Sequence, residues 1–428
     1  MKVLYVNHTG MLGGAEHSLL TLLEGLPDDV VAIVASPAGP LHERARALGA
    51  RTEVLPGTTG SFRLHPLRTL RAVLDIARSA AAVRAIARRL RVDLIHANSV
   101  RAGLITAPVR ATGGPPTVVH VRDVIPPGKA GALVRRMVRL GAHRTVCISE
   151  HVARSFGADE RTEVIHNGVD LGRFDPTAGD RVAQRAALGL DPHDRALGIV
   201  AQLTPWKGQD DAIAALAGVR RRHPRTRLLL IGEAKFLARD TRFDNRAFET
   251  ALLEEARRLD VADAVTFLGE RADVPALMHA LDVVLVPSWE EPFGRSVIEG
   301  MAMERAVLAT SAGGPREIID DGVTGVLAPP RDVAAWTRQI VRLLDGDDLR
   351  SSLGRAARES LDGHLDAETH VRRIIETYRA LLAGRSGPNE TSRSSQRSYV
   401  QQTVGAGPVC GAARDPQDGL GDGGVNSA

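Results

Sequence analysis

The sequence predicts an α/β protein built as two doubly wound, Rossmann-like domains facing each other across a cleft. Three observations carry this. Short apolar runs alternate with amphipathic stretches through most of the 428 residues, the pattern of strand–helix–strand units on a parallel sheet. The alternation comes in two successive series, each long enough for its own core. Between them lies Asn167-Gly-Val-Asp-Leu-Gly-Arg-Phe-Asp-Pro176, where Asn-Gly, a further glycine and Asp-Pro interrupt any regular element.

In chain order, the first series predicts strands at Val3–Asn7, Val30–Ala35, Asp93–Asn98, Thr117–His120, Thr145–Ser149 and Glu163–His166. Helical periodicity covers Glu16–Leu26, Leu41–Leu48 and Arg68–Leu90. The second series predicts strands at Leu197–Ala201, Arg227–Ile231, Ala264–Leu268, Val283–Val286 and Val307–Thr310. Its helices are expected at Asp210–Arg222, Phe248–Leu259, Val274–Leu281 and Ser296–Met303, and three more at Val333–Leu344, Leu349–Leu361 and Ala367–Leu382 close the folded part. The divisions are therefore a first domain at 1–168, a second at 169–366 and a final helix within 367–384. Residues 385–428 have few large apolar side chains to offset the entropy of ordering, and are expected to be disordered.

Composition excludes several classes. With aromatic residues at 3% there are few platforms for base stacking, and no nucleic-acid motif is present, so nucleic acid is not an expected partner. No run approaches the roughly 18 apolar residues of a membrane span. Met1-Lys-Val-Leu-Tyr-Val-Asn7 enters a strand directly instead of a signal peptide, so the expected location is the cytoplasm. The net charge is only +4, but 51 of the 55 basic residues are arginines and many cluster between Arg63 and Arg91 at helical spacing. That segment reads either as a solvated helix face or as a peripheral contact with a membrane or acidic ligand. Cys147 and Cys410 make no disulfide or metal pattern, and Cys147, in an apolar strand, is expected to be structural.

The chemistry-bearing segment is Glu291-Pro-Phe-Gly-Arg-Ser-Val-Ile-Glu299, between the predicted strand Asp282–Pro287 and a helix. On a parallel sheet such a point faces the crevice beyond the carboxyl ends of the strands. Gly294 lets backbone N–H groups approach an anion at the helix N-terminus, and the two carboxylates suit hydroxyl groups, so a phosphate-linked polyol fits. Gly10-Met-Leu-Gly13-Gly14-Ala-Glu16 follows the first strand and reads either as a phosphate cradle or as a turn that merely starts a helix. Lys207, one of four lysines, follows the first strand of the second series in Leu203-Thr-Pro-Trp-Lys-Gly208 and reads either as a cation facing a phosphate or as a surface lysine after a Pro-Trp turn. His120 ends a strand, with Arg122 and Asp123 next, and reads either as a ligand contact or as a strand-end histidine making capping contacts; Asp123 or Glu16 would orient a ligand hydroxyl, or each is a plain loop acid. Asp345-Gly-Asp347-Asp348 has the letters of a metal motif but falls between two helices, so no metal site is expected.

Together with Ala309-Thr-Ser-Ala-Gly-Gly-Pro-Arg-Glu317 and Asp321-Gly-Val-Thr-Gly-Val-Leu327, these segments resemble the retaining nucleotide-sugar glycosyltransferases of family GT4. The resemblance covers most of residues 1–384 and implies the two-domain GT-B architecture, with the final helix packing back on the first domain. It implies transfer of a hexosyl unit from a UDP- or GDP-sugar to a hydroxyl of a glycan, lipid-linked glycan or small molecule, with retention of configuration, no metal and no cofactor. By the same resemblance Lys207, Glu291 and His120 are the catalytic candidates, His120 positioned against the transferred sugar. Gly13, Gly14, Gln202, Phe293, Gly294 and Glu299 are the donor-binding ones, Glu299 taking the ribose hydroxyls. Gly313, Gly314 and Glu317 resemble a second loop of the same site. Gln202 stands where relatives commonly carry arginine, leaving Lys207 with more of the diphosphate charge. Two alternatives remain: a nucleotide-sugar epimerase or hydrolase of similar fold, and a nucleotide-sugar-binding regulatory protein without transfer activity.

Overall fold

The computed structural model describes residues 1–57, 66–235 and 243–384. The segment 385–428, expected to be disordered, lies outside the described residues.

The first sheet has seven strands: β1 Lys2–Val6, β2 Val31–Ser36, β3 Arg51–Val54, β4 Leu94–Ala97, β5 Thr117–Val121, β6 Arg144–Cys147 and β7 Thr162–Val164. They lie in the order β3-β2-β1-β4-β5-β6-β7, every pair parallel. The second sheet has six: β8 Arg195–Val200, β9 Thr226–Ile231, β10 Val265–Gly269, β11 Val283–Val286, β12 Ala306–Thr310 and β13 Val326–Ala328. Their order is β10-β9-β8-β11-β12-β13, again all parallel. In both sheets the chain runs outward in one direction and then in the other, so each has a switch point, between β1 and β4 and between β8 and β11. Loops leaving the carboxyl ends of strands at such points diverge and leave a crevice.

The central strands are apolar on both faces because helices cover both; β4, β5 and β11 are buried along their whole length. One apolar cluster runs from Leu4, Ile95 and Val119 in the first half to Val284, Phe293 and Val307 in the second, so the core is continuous between the sheets. Another joins Val3, Tyr5, Leu19 and Val34 to Val371, Ile374, Ile375 and Tyr378 of the last helix, Ala367–Leu382. That helix is therefore packed on the outer layer of the first sheet. A carboxylate begins it: Asp366 accepts the Thr369 N–H at 2.7 Å, and Val169 and Asp366 form a bridge where the chain crosses between the halves.

Two strands have no counterpart in the sequence reading. β3 is a sheet edge whose residues Arg-Thr-Glu-Val are half-buried or exposed, and β13 has only three residues, so neither presents an apolar run.

Candidate active site

The loops leaving β8 and β11 are sewn together. The Trp289 N–H donates to the Trp206 carbonyl at 2.9 Å. Above that link Lys207, over the Trp206 ring at 4.1 Å, donates from Nζ to Glu291 Oε2 at 2.6 Å, and the Ser288 hydroxyl donates to the same oxygen at 2.7 Å. A third loop buttresses them: Glu291 N–H donates to the Ala312 carbonyl at 3.0 Å and Gly314 N–H to the Glu291 carbonyl at 2.8 Å. Gly313 must be glycine, because its φ is +100° and a Cβ would lie 2.1 Å from the Glu291 carbonyl oxygen.

Gly294 turns the chain into the helix Arg295–Ala302 with φ +108°, leaving the helix start without a side-chain cap. Phe293 is buried with its ring 5.7 Å from that of His166. One turn into the helix, Glu299 is paired with Arg295 at 2.7 Å. The other arm of Arg295 crosses the cleft to the carbonyl of Gly14 at 3.1 Å. Lys235 makes a parallel crossing, donating to the Leu12 carbonyl at 2.9 Å while paired with Glu270 at 2.5 Å. Ser149 Oγ donates to the Pro292 carbonyl at 2.6 Å, and His151 Nε2 lies 2.8 Å from Glu290. The carboxyl ends of the two sheets thus face each other.

This brings Lys207, Glu291, Phe293, Gly294 and Glu299 into one wall, with Gly13 and Gly14 opposite. Gln202 lies at the root of the same wall, where its carbonyl accepts from Gln209 Nε2 at 2.9 Å. The Gly13-Gly14 loop resolves toward helix capping. Glu16 accepts from the Gly13 N–H at 3.0 Å and from Asn7 Nδ2 at 2.9 Å, and burial pushes its carboxyl above the usual range. Glu16 is committed to that cap. A Cβ on Gly14 would meet nothing within 4 Å, so neither a close contact nor backbone strain requires glycine there. Asp123 is exposed yet set in dense surroundings that raise its carboxyl, against the opposing charges of Arg101 and Arg122.

His120 is the exception. The structure encloses it completely, 0% exposed, with rings of His96 and His370 at 5.3 and 6.3 Å. Its Nδ1 faces Arg122 Nη2 at 3.1 Å, and burial followed by the Arg122 charge holds it far below the usual imidazole range, hence neutral. Its Nε2 has no hydrogen-bond partner among the described residues. Arg122, itself buried, donates to Asn98, Ser18 and Asn167. Burial lowers it to about 10.

Glu317 lies near the site but serves the other half. It accepts from the backbone N–H groups of Glu150 and His151, each at 2.7 Å. Burial works to raise it, but His166 and these N–H groups outweigh that and hold it below the usual carboxylate range. Asp345 and Asp347 pair with Arg222 and Arg350 in an inter-helix turn, and among the described residues no group of His, Cys, Asp and Glu is arranged to hold a metal. Cys147 is buried in β6, its thiol pushed up to about 12 by burial. No described helix is long and apolar enough to cross a membrane.

Two functional candidates were missed in the sequence, Arg295 and Lys235. Both face His17, which burial and then the charges of Arg295, Lys235, Arg173 and Arg44 lower to about 4. The available signals were the position of Arg295 directly after Gly294 and the rarity of lysine at Lys235.

Two parallel sheets that meet at their carboxyl ends over such a wall define the GT-B class, and the comparisons agree. The crystal structure of Anabaena HepE in complex with UDP-glucose matches with a TM-score of 0.77 at 27% identity, over 89% of this chain and 100% of that one. Residues 12–173 match Glycosyltransferase Family 4, and residues 180–360 match Glycosyl transferases group 1. A D-inositol 3-phosphate glycosyltransferase of Salinispora tropica is 31% identical over 367 residues, 80% of this chain and 72% of that protein. Its counterpart from Segniliparus rotundus is 34% identical over 257 residues, 59% of this chain, and here the chain spans only 55% of the relative's length. The chain belongs to the group 1 glycosyltransferases of family 4.

Proposed function

We propose that this protein is a retaining hexosyltransferase that takes a sugar from a nucleotide diphosphate donor and delivers it to a hydroxyl of a glycan, lipid-linked glycan or small molecule, working in the cytoplasm without a metal. The observation that carries the reading is the double pairing of Lys207 with Glu291 and of Arg295 with Glu299 on one wall of the cleft, at a switch point and beside an uncapped helix start. Two cations and the helix N-terminus supply the positive field that a departing diphosphate needs. Glu299 then takes the ribose hydroxyls, and Glu291 the transferred sugar. The likeness to HepE, crystallised with UDP-glucose, supports a UDP-sugar as the donor to try first. The description of the relatives as D-inositol 3-phosphate glycosyltransferases supports a small polyol phosphate among the acceptors.

In the proposed step the bond from the anomeric carbon to the phosphate oxygen breaks and the acceptor oxygen bonds to the same carbon on the same face. The acceptor proton passes to the departing phosphate, whose charge Lys207 and Arg295 hold. Positioning and fixed charge do most of the work. The test is release of nucleoside diphosphate from UDP- and GDP-sugars, with and without inositol phosphate or cell-envelope extract, in the presence of EDTA. Acceptor-dependent release, with the anomeric configuration retained by NMR, is expected. Equal release without acceptor would make the protein a hydrolase, interconversion of donors an epimerase, and binding without turnover a regulatory protein.

A further inference from the structure

The start of the helix Glu150–Phe156, beyond the carboxyl end of β6, is completed from the other half of the chain. Ser149 caps it locally, its hydroxyl accepting from the Val152 N–H at 3.1 Å. That leaves the N–H groups of Glu150 and His151, which donate at 2.7 Å each to Oε2 and Oε1 of Glu317. This acceptor is 167 and 166 positions away in sequence. At four other helices the acidic cap is local: Asp180, Asp244, Asp332 and Asp366 accept from N–H groups two or three residues on. His166 Nε2 approaches Glu317 Oε2 at 3.3 Å, and the Glu317 side chain is only 15% exposed. A carboxylate matched by both oxygens to two successive N–H groups fixes position as well as contact.

Glu317 belongs to the short helix Pro315–Ile318, and the residues just before it hold the loop that carries Glu291. Its own N–H donates to the Gly314 carbonyl at 2.8 Å, and Ala312 and Gly314 bracket Glu291 by two backbone bonds. There is no slack between these segments, because a Cβ on Gly314 would lie 2.5 Å from the Phe293 Cα. A second tie reaches the same loop directly, from the Ser149 hydroxyl to the Pro292 carbonyl. The start of Glu150–Phe156 therefore grips the Glu291–Phe293 loop at two points, through Ser149 and through Glu317. Glu291 in turn carries the ion pair with Lys207. Arg295 and Glu299 stand apart from this relay, on a helix anchored by buried Val297, Ile298 and Met301.

We propose that Glu317 is a positioning residue for sugar transfer: by clamping the start of Glu150–Phe156 from the opposite half, it sets the loop that carries Glu291 and Phe293 in its working place. Glu317 touches no reacting atom and acts through those two residues. The inference rests on the transferase reading, in which Glu291 takes the transferred sugar. Arg154 cannot substitute for the clamp, since its side chain is 70% exposed and lies 3.9 Å from the same carboxylate. Two consequences separate positioning from plain helix capping. Nucleotide affinity depends on Arg295 and Glu299 and does not need the clamp. Turnover does, because a misplacement of about 1 Å in a group that orients substrate is enough to cost about 10²-fold.

The test compares Glu317→Ala and Glu317→Gln with the parent, all as the full chain and each well below its melting temperature. Glu317→Ala should lower turnover by about 10–100-fold. Its Kd for the nucleoside diphosphate that the parent binds, UDP or GDP, should stay within about twofold. Glu317→Gln offers one acceptor oxygen to two N–H groups and should fall between, and it carries the comparison if the alanine variant does not fold. Arg154→Gln should match the parent. Hydrogen exchange gives a readout independent of turnover: in Glu317→Ala, peptides covering 149–156 and 288–294 should lose protection together while 296–303 keeps it. The inference is overturned if turnover holds and only the melting temperature drops, or if nucleotide affinity falls in step with turnover. It also falls if Arg154→Gln does equal damage, or if protection at 288–294 is untouched. A parent without transfer activity would refute the transferase reading, a result distinct from these, and the exchange measurement would still decide the clamp.

Discussion

The ammonium of Lys207 lies 2.6 Å from Oε2 of Glu291, an ion pair between residues 84 positions apart that fixes the two loops most implicated in chemistry. Both side chains are largely buried, 17% and 9% exposed. Each therefore holds the other in place before any ligand arrives, the kind of preorganisation that electrostatic catalysis requires.

Lys207→Ala should lower turnover by about 10²–10³-fold, the scale for removing one preorganised charge stabiliser. Steady-state kinetics with saturating donor check it. Unchanged turnover would mean that leaving-group charge is held elsewhere.

Arg295 and Glu299 should separate by ligand. Arg295→Ala is expected to weaken nucleoside diphosphate by about tenfold or more, the worth of a charge-assisted hydrogen bond, with little effect on the nucleoside. Glu299→Ala should weaken both, since ribose hydroxyls are common to them. Paired calorimetric titrations with UDP and uridine distinguish the patterns.

Acid should unfold the protein early. Burial lowers His96 and His120 far below 6.5 and His370 to about 4. In the folded state these rings stay neutral, while in the unfolded chain they take up protons near pH 6.5. Stability is thus full above that value and lost as pH falls from 6.5 toward about 4, by about 1.4 kcal/mol per pH unit for each ring. Denaturant melts at a series of pH values measure the slope. His120→Gln, which still offers Arg122 an acceptor, should reduce the proton uptake by about one.

Gly313→Ala should cost about 1–3 kcal/mol or more and cut turnover, because φ +100° and a Cβ 2.1 Å from the Glu291 carbonyl oxygen force that loop apart. Gly14→Ala, with open space around its Cα, should leave the melting temperature unchanged. Thermal melts of the two variants side by side make the comparison.

Most of the strands, the loops at their ends and the segments carrying Lys207, Glu291 and Glu299 were legible because each is written in a contiguous segment. What was not legible depends on contacts distant in sequence. The pairing of Lys207 with Glu291 needs two strands to meet, and the enclosure of His120 needs helices on both sides of β5. Arg295 and Glu299, four apart on one helix, could have been paired from the sequence alone. β3 and β13 were lost to shortness and exposure, and the helix Lys129–Gly141, whose Leu133 and Leu140 are exposed, breaks the rule by which a core face is found.

Arg295 and Lys235 reach across to the carbonyls of Gly14 and Leu12, not to their side chains. Backbone oxygens are present whatever residue occupies a position. The loop from Met11 to Gly14 can therefore change its side chains while these two contacts between the halves persist.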